Sequence, residues 1–108
     1  MAVFGFSDNP DDVVSFRKAI FRMILSRAKA RLTDPSDIEE LDVGQAMEGI
    51  SFELFEENQR ARLLEAVYEG TKSLKEEIDA GKPVEEQVRE GADEKLDEVL
   101  ALLVRFRP

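Results

Sequence analysis

Side chains at helical spacing in the second half of the chain are the strongest constraint on its fold. Steps of three and four residues, the spacing with which paired helices pack, separate Leu64, Val67, Thr71, Leu74 and Ile78. A second helical stripe follows, at Val84, Val88, Ala92, Leu96, Val99, Leu103 and Phe106. Because only Gly81-Lys82-Pro83 connects the two, we predict an antiparallel helical hairpin of about residues 52–80 and 83–106. Ser51 is the predicted N-cap of its first helix.

A strongly apolar helix is predicted earlier in the chain, from about Pro10 to Leu32, because Pro10 suits a first turn and Asp34-Pro35 stops a helix. Its apolar residues cover more than half of the circumference, and they are Val13, Val14, Phe16, Ile20, Phe21, Met23, Ile24, Leu25, Ala28 and Leu32. Such a helix must be covered on several sides. We therefore expect a second copy of the chain to provide part of the cover, and we predict a homodimer.

A shorter helix is predicted after Asp34, which can cap it, with Pro35 in its first turn. It would carry Ile38 and Leu41. The stretch from residue 43 to residue 51 has two interpretations, a short helix with a loop or one bent helix.

The fold class predicted from these segments is all-α, a small helical bundle of three to four helices in a single helical domain of residues 1–108. No segment shows the alternation of a half-buried strand. Gly70 and Gly91 lie inside predicted helices, where a glycine indicates either a close helix contact or a kink.

Composition excludes several kinds of chemistry. The chain has no Cys and no His, which rules out thiolate and imidazole catalysis, structural zinc sites and disulfides. A formal net charge of −9 opposes binding to nucleic-acid phosphates, so we do not expect a nucleic-acid partner. No apolar run approaches the roughly 18 residues that span a bilayer, and Met1 to Phe6 lacks the basic start of a signal peptide. We expect no membrane association and a cytoplasmic location.

Charge is unevenly distributed along the chain. Residues 1–32 hold six basic and three acidic residues, whereas residues 33–57 hold nine acidic residues and no basic one. Such asymmetry indicates association within the chain or with a partner. We expect the basic residues of the first helix to pair with this acidic segment, in the same chain or in a neighbouring one.

Two aromatic residues in the acidic segment, Phe52 and Phe55, have two interpretations. They pack in the core, or they form a binding hot spot surrounded by carboxylates for a basic protein. We predict a partner-binding site at Asp37, Glu40, Glu48, Phe52, Glu53, Phe55 and Glu56. The predicted function is that of a small acidic protein-interaction module of adaptor, immunity or antitoxin type. It would act by binding, without catalysis, and we assign no cofactor, metal or catalytic residue.

Acidic pairs on the predicted helices suggest an alternative. Residues three positions apart share a helix face, and the pairs are Glu53 with Glu56, Glu76 with Asp79, Glu90 with Asp93, and Glu94 with Asp97. Such carboxylates can hold Mg²⁺ while substrate phosphates complete its shell. The arrangement resembles the motif of MazG-like nucleoside triphosphate pyrophosphohydrolases, and residues 93–100 resemble that family's second motif. The resemblance implies a Mg-dependent pyrophosphohydrolase that uses carboxylate pairs.

Overall fold

A small mixed β-sheet occupies the N-terminal part of the chain in the computed structural model, which describes residues 1–81 and 92–107. Strands β1 (Ala2–Gly5) and β2 (Val13–Phe16) pair antiparallel, and β3 (Gly49–Ser51) pairs in parallel with the other side of β1. The strand order is therefore β2-β1-β3, with β1 in the centre.

The described residues also contain four α-helices and two short 3₁₀ turns. The helices are α1 (Lys18–Lys29), α2 (Pro35–Met47), α3 (Glu57–Asp79) and α4 (Ala92–Phe106), and the turns are Pro10–Asp12 and Phe52–Leu54. The protein is mostly helical, but the sheet makes it an α+β fold. The predictions of an all-α class and of a purely helical bundle are wrong. No helix in this part of the chain has both the length and the apolar character needed to cross a membrane.

Strand β2 replaces the first turns of the predicted first helix. Val14 and Phe16 are buried while Val13 and Ser15 are exposed, which is the alternation of a strand with one face on the core. The strand is too short for this alternation to stand out, and Val13, Phe16 and Ile20 also fit helical spacing. Pairing with β1 satisfies backbone groups on both strands, so the helix begins only at Lys18.

Aromatic rings from the sheet and from the elements beside it form the centre of the core. The ring of Phe4 in β1 lies 5.1 Å from that of Phe16, 5.4 Å from that of Phe21 and 5.5 Å from that of Phe52. Phe6 stacks on both Phe52 and Phe106, which ties the N-terminal segment to the end of α4. Ala2, Phe4 and Phe6 are therefore part of the core of their own chain.

Helix α2 starts where the sequence predicts, and it is followed by a strand that the sequence does not predict. The carboxylate of Asp34 accepts a hydrogen bond from the amide of Ser36, and Pro35 occupies the first turn. The helix continues to Met47, and Glu48 in the left-handed conformation (φ 60°) turns the chain into β3. Neither interpretation of residues 43–51 included this strand.

Helix α3 begins later than predicted. Glu56, not Ser51, caps it by accepting hydrogen bonds from the amides of Asn58 and Gln59. Gly81 follows its end with φ 73°, a conformation that suits glycine. The predicted turn at residues 82–83, the start of the predicted fourth helix and Gly91 lie outside the described residues.

Helices α3 and α4 run antiparallel along their described lengths. Lys75 forms an ion pair with Asp97, and Glu65 forms one with Arg107, so residue numbers fall along α3 as they rise along α4. Gly70 makes possible a second close contact of α3, with α1. A Cβ atom at this position would lie 2.8 Å from the backbone nitrogen of Ala28. Of the two interpretations of Gly70, the close contact is the one that the structure supports.

Candidate functional site

An open apolar groove lies between α2 and the chain that follows it. Its volume is about 490 Å³, and we call it the α2–β3 groove. Residues of three elements line it, including Val43 and Met47 of α2, Gly49 and Ser51 of β3, and Leu54 of the following 3₁₀ turn.

Large apolar side chains around this groove are unusually exposed. The exposed fractions are 51% for Val43, 76% for Met47 and 81% for Leu54. These are three of the six large apolar side chains that are exposed in the described part of the protein. Single exposed apolar residues are normal on protein surfaces, but a cluster indicates a site of interaction.

Helix α2 and strand β3 approach each other closely at Gly44. A Cβ atom on Gly44 would overlap the side chain of Ile50, so glycine allows the helix to lie directly on the strand. Leu41 is buried on this inner side, whereas Val43 and Met47 are exposed. One turn of helix separates Val43 from Met47, and these two residues therefore form a wall of the groove.

Acidic side chains border the groove without a compensating partner among the described residues. Glu40 is half-buried in its lining, Glu53 is exposed next to Leu54, and Glu39 is exposed on α2. Within residues 1–81 and 92–107, none of these three carboxylates has a hydrogen-bond or ion-pair partner. The potential at the groove is therefore negative, since no basic side chain of the described residues lines it.

Two residues of the predicted partner-binding site are inside the protein. Phe52 has no exposed surface and packs against Phe4 and Phe6, so its core interpretation describes its position. Asp37 is 1% exposed and accepts hydrogen bonds from the guanidinium of Arg62, 2.7 and 3.1 Å away, and from the amide of Gln59. The bond from Arg62 lowers the pKa of the Asp37 carboxyl, against the opposing effect of burial.

Two further members of the predicted site are exposed but already have partners. Glu48 forms an ion pair with Lys18 at 2.8 Å, and the hydrogen bond from Lys18 lowers the pKa of its carboxyl. Glu56 is the N-cap of α3. The groove therefore brings together Glu40 and half-buried Phe55 in its lining, with Glu53 beside it.

The basic residues of α1 pair with the acidic segment as predicted, at two positions and within the same chain. Lys18 contacts Glu48, and Lys29 lies 2.7 Å from Asp42. A third basic residue, Arg27, instead pairs with Glu77 of α3 through two hydrogen bonds. These ion pairs involve some of the acidic residues of the segment, but not the carboxylates around the groove.

The sequence patterns did not single out Val43, Met47 and Leu54. One signal was available for the first two, because α2 carries apolar side chains on the side opposite Leu41 as well as around Leu41. A helix with only one buried side has polar residues on the other. No such signal was available for Leu54. The sequence predicts a long helix from about residue 52, whereas α3 begins only at Glu57.

A larger cleft, of about 860 Å³, lies between the α1–α2 connection and α3. Its lining has both signs of charge, and ion pairs join Arg62 to Asp37 and Arg107 to Glu65. Arg107 also lies over the ring of Tyr68. The charges of Asp37, Arg62 and Glu65 in this lining are therefore compensated within the chain.

Three carboxylates from the pairs of the alternative interpretation, those of Asp79, Asp93 and Asp97, act electrostatically on Lys75. No group of three or more Asp and Glu residues in the part of the chain that the structure describes is placed to hold a metal ion. Asp97 contacts Lys75, and Glu56 caps α3, while Glu90 lies outside the described residues.

No protein family, no curated protein and no solved structure matches this chain. The chemistry of the groove is therefore the basis on which a function can be proposed.

Proposed function

We propose that this protein is a small acidic interaction module that binds a basic protein through the α2–β3 groove. It acts by binding, without catalysis, as an adaptor, immunity protein or antitoxin does. The observation that carries this proposal is the cluster of exposed Val43, Met47 and Leu54 beside carboxylates that have no partner among the described residues.

Burial of the apolar side chains would supply most of the binding free energy. Full burial of one Val, Leu or Met side chain is favourable by about 1.5 to 3 kcal/mol. Part of this gain is offset by the lost freedom of both proteins. Three such side chains in one groove are enough for a small hot spot, with half-buried Phe55 as its floor.

The carboxylates would select the partner and accelerate its approach. Glu40 and Glu53 attract a surface rich in Lys and Arg, and the attraction weakens as salt screens it. The same charges repel phosphates, so the proposal does not include nucleic acid. Basic residues near an apolar contact are therefore the expected chemistry of the partner.

A homodimer and a cytoplasmic location are further parts of the proposal. The groove is not the surface of such a dimer, because two facing copies would place Glu40 and Glu53 against the same carboxylates. The inner side of α1 is covered by its own chain, through residues such as Ile24 and Leu25. Light scattering at several protein concentrations tests the dimer, and a constant monomer mass would exclude it.

The function is tested by capture with matched variants. The protein would be immobilised as wild type, as Met47→Ser with Leu54→Ser, and as Val104→Ser, whose side chain is also exposed, at 58%, but lies on α4. We expect a basic protein to bind wild type and the α4 variant in stoichiometric amounts, and to be lost from the groove variant. Equal capture by all three proteins, or no stoichiometric capture at low salt, would contradict the proposal.

Charge reversal tests the acidic border separately. Glu40→Lys with Glu53→Lys should weaken binding of the captured protein and reduce its salt dependence. The control is Glu76→Lys with Glu94→Lys, which changes the net charge equally at exposed positions of α3 and α4. If both double variants weaken binding to the same degree, only overall charge matters and the groove is not the site.

A further inference from the structure

Strand β3 forms one edge of the sheet, and the edge lies in the α2–β3 groove. β3 pairs with β1 on one side, and the described residues contain no strand on its other side. Gly49, Ile50 and Ser51 all line the groove. An unpaired strand edge is a template for pairing with another chain.

The direction of the backbone groups follows from one hydrogen bond. The amide of Val3 donates to the carbonyl of Glu48 at 3.2 Å, so this carbonyl points towards β1. In a trans peptide the next amide points the opposite way, which directs the N–H of Gly49 to the free edge. By the alternation of a strand, the groups of Ile50 face β1 again.

Two backbone amides are therefore directed to this edge, the N–H of Gly49 and the N–H of Ser51, whereas the carbonyl of Gly49 is covered by α2, since a Cβ atom on Gly44 would lie 3.4 Å from it. No backbone hydrogen bond within the described residues uses either of these amides. Ser51 itself is exposed. An extended segment can accept hydrogen bonds from both amides through the carbonyls of alternate residues, which a helix cannot do because its own turns use its backbone groups.

We propose that the partner of this protein binds as an added β-strand beside β3, with an extended segment in which basic residues flank an apolar one. The inference rests on the proposed function and specifies the partner's conformation. Its backbone pairs with Gly49 and Ser51, and its apolar side chain lies against Val43, Met47 and Leu54. Its Lys or Arg residues approach Glu40 and Glu53.

Charge decides between the possible occupants of the groove. A second copy of this chain could offer its own β3, but its carboxylates would then meet like charges at close range. A segment from a basic protein removes this repulsion and compensates groups that lack partners in the described chain. The occupant to which the structure points is therefore a segment of a different protein.

Strand addition can be tested with synthetic peptides and an isotope-labelled full chain. The probe is a blocked octapeptide of alternating Val and Thr between two Lys residues at each end. Its first control is methylated at the four central backbone nitrogens, and its second replaces Val and Thr by Leu and Ala, which favour helix. A third control replaces Lys by Glu.

We expect the probe to shift the amide resonances of Gly49 and Ser51 and to slow their hydrogen exchange. The methylated peptide should bind at least about tenfold more weakly, because it cannot pair with a strand edge. The helix-favouring and acidic peptides should be weaker by a similar factor. Equal binding of the methylated or helix-favouring peptide would overturn strand addition, as would no binding of the probe at about 1 mM.

Variants of the protein provide the second test. Ser51→Pro removes one outward N–H and leaves the pairing of Ile50 with β1, whereas Ser51→Ala keeps the N–H and removes only the hydroxyl. We expect about a tenfold loss of probe binding for Ser51→Pro and none for Ser51→Ala. Circular dichroism verifies that both variants fold. If Ser51→Pro does not fold, the comparison of the probe with the methylated peptide tests strand addition instead.

The two proposals can fail separately. If a basic protein is captured through the groove but the peptide tests fail, the interaction module stands and its partner binds in another conformation. If capture shows no dependence on Met47 and Leu54, the proposed function fails, whatever the peptides do.

Discussion

Two helix contacts in this protein depend on a glycine and differ in what surrounds them. At Gly70 the backbone of α1 approaches α3, and buried side chains such as Ile24, Ala28 and Val67 close the contact on all sides. At Gly44 the side chain of Ile50 approaches α2, but Val43 and Met47 nearby remain exposed. The first contact is completed by the chain itself, and we infer that the second is completed by a partner.

The charges beside the two contacts differ in the same way. Arg27 and Glu77 join α1 to α3 at 2.5 Å, and Arg62 joins α3 to buried Asp37. Glu40 at the groove has no such partner among the described residues. A contact that serves stability thus has its charges compensated, while the contact assigned to binding does not.

The largest effect on stability is expected for Gly70→Ala. Its new methyl group would lie 2.8 Å from a backbone nitrogen and 2.9 Å from a backbone oxygen of α1, and neither can move without displacing the helix. We expect a loss of about 2 to 3 kcal/mol in the free energy of unfolding, measured with urea. The control is Gly5→Ala, where the nearest heavy atom is 3.7 Å away and little change should follow. Unchanged stability in Gly70→Ala would show that α1 and α3 are farther apart.

A smaller loss is expected for Asp37→Asn, which removes the charge from the bond with Arg62. Because the Arg62 side chain is 47% exposed and partly hydrated, we expect the free energy of unfolding to fall by about 1 to 2 kcal/mol at neutral pH. Glu39→Gln, at an exposed carboxylate of the same helix, should change the free energy of unfolding by much less.

At acid pH, the difference in the free energy of unfolding between wild type and Asp37→Asn should become smaller. The folded pKa of Asp37 lies below its ordinary value of 3.8, so its carboxylate stabilises the folded state fully above that pH. This contribution is lost as the pH falls below 3.8 through the folded pKa. Urea unfolding of both proteins between neutral pH and acid would reveal this convergence, and a constant difference would contradict the role of the ion pair.

The smallest effect on stability is expected at the groove. Met47→Ser and Leu54→Ser remove side chains that are already mostly exposed, so the free energy of unfolding should change by less than about 0.5 kcal/mol for each. Their effect on partner binding should be large by comparison. If either variant unfolds as readily as Gly70→Ala, its side chain supports the fold and the comparison between the two contacts fails.

Local signals in the sequence predicted the helical elements that have strong ends or long stripes. Asp34 and Pro35 marked the start of α2, and the stripe from Leu64 to Ile78 lies within α3. The acidic segment was also evident, and Glu40 and Phe55 from it do line the groove. The interaction with a partner itself stays a prediction.

Local signals did not predict the strands, nor which acidic residues form ion pairs and which lie at the groove. β1, β2 and β3 contain four, four and three residues, and segments so short are stable only when a neighbour pairs with them. Likewise, Asp37 and Glu40 are similar carboxylates on one predicted helix. Only the position of Arg62 on another element makes the first a buried ion pair and leaves the second at a groove.

By itself the sequence determined the helices with strong local signals and an excess of acidic residues in the middle of the chain, because helical spacing and charge are local properties. The tertiary structure decided that the N-terminal segments pair as a sheet, that Phe52 is buried, and that Val43, Met47 and Leu54 surround an open groove. These outcomes depend on contacts between residues far apart in the chain, and the energy of such contacts cannot be predicted from either segment alone.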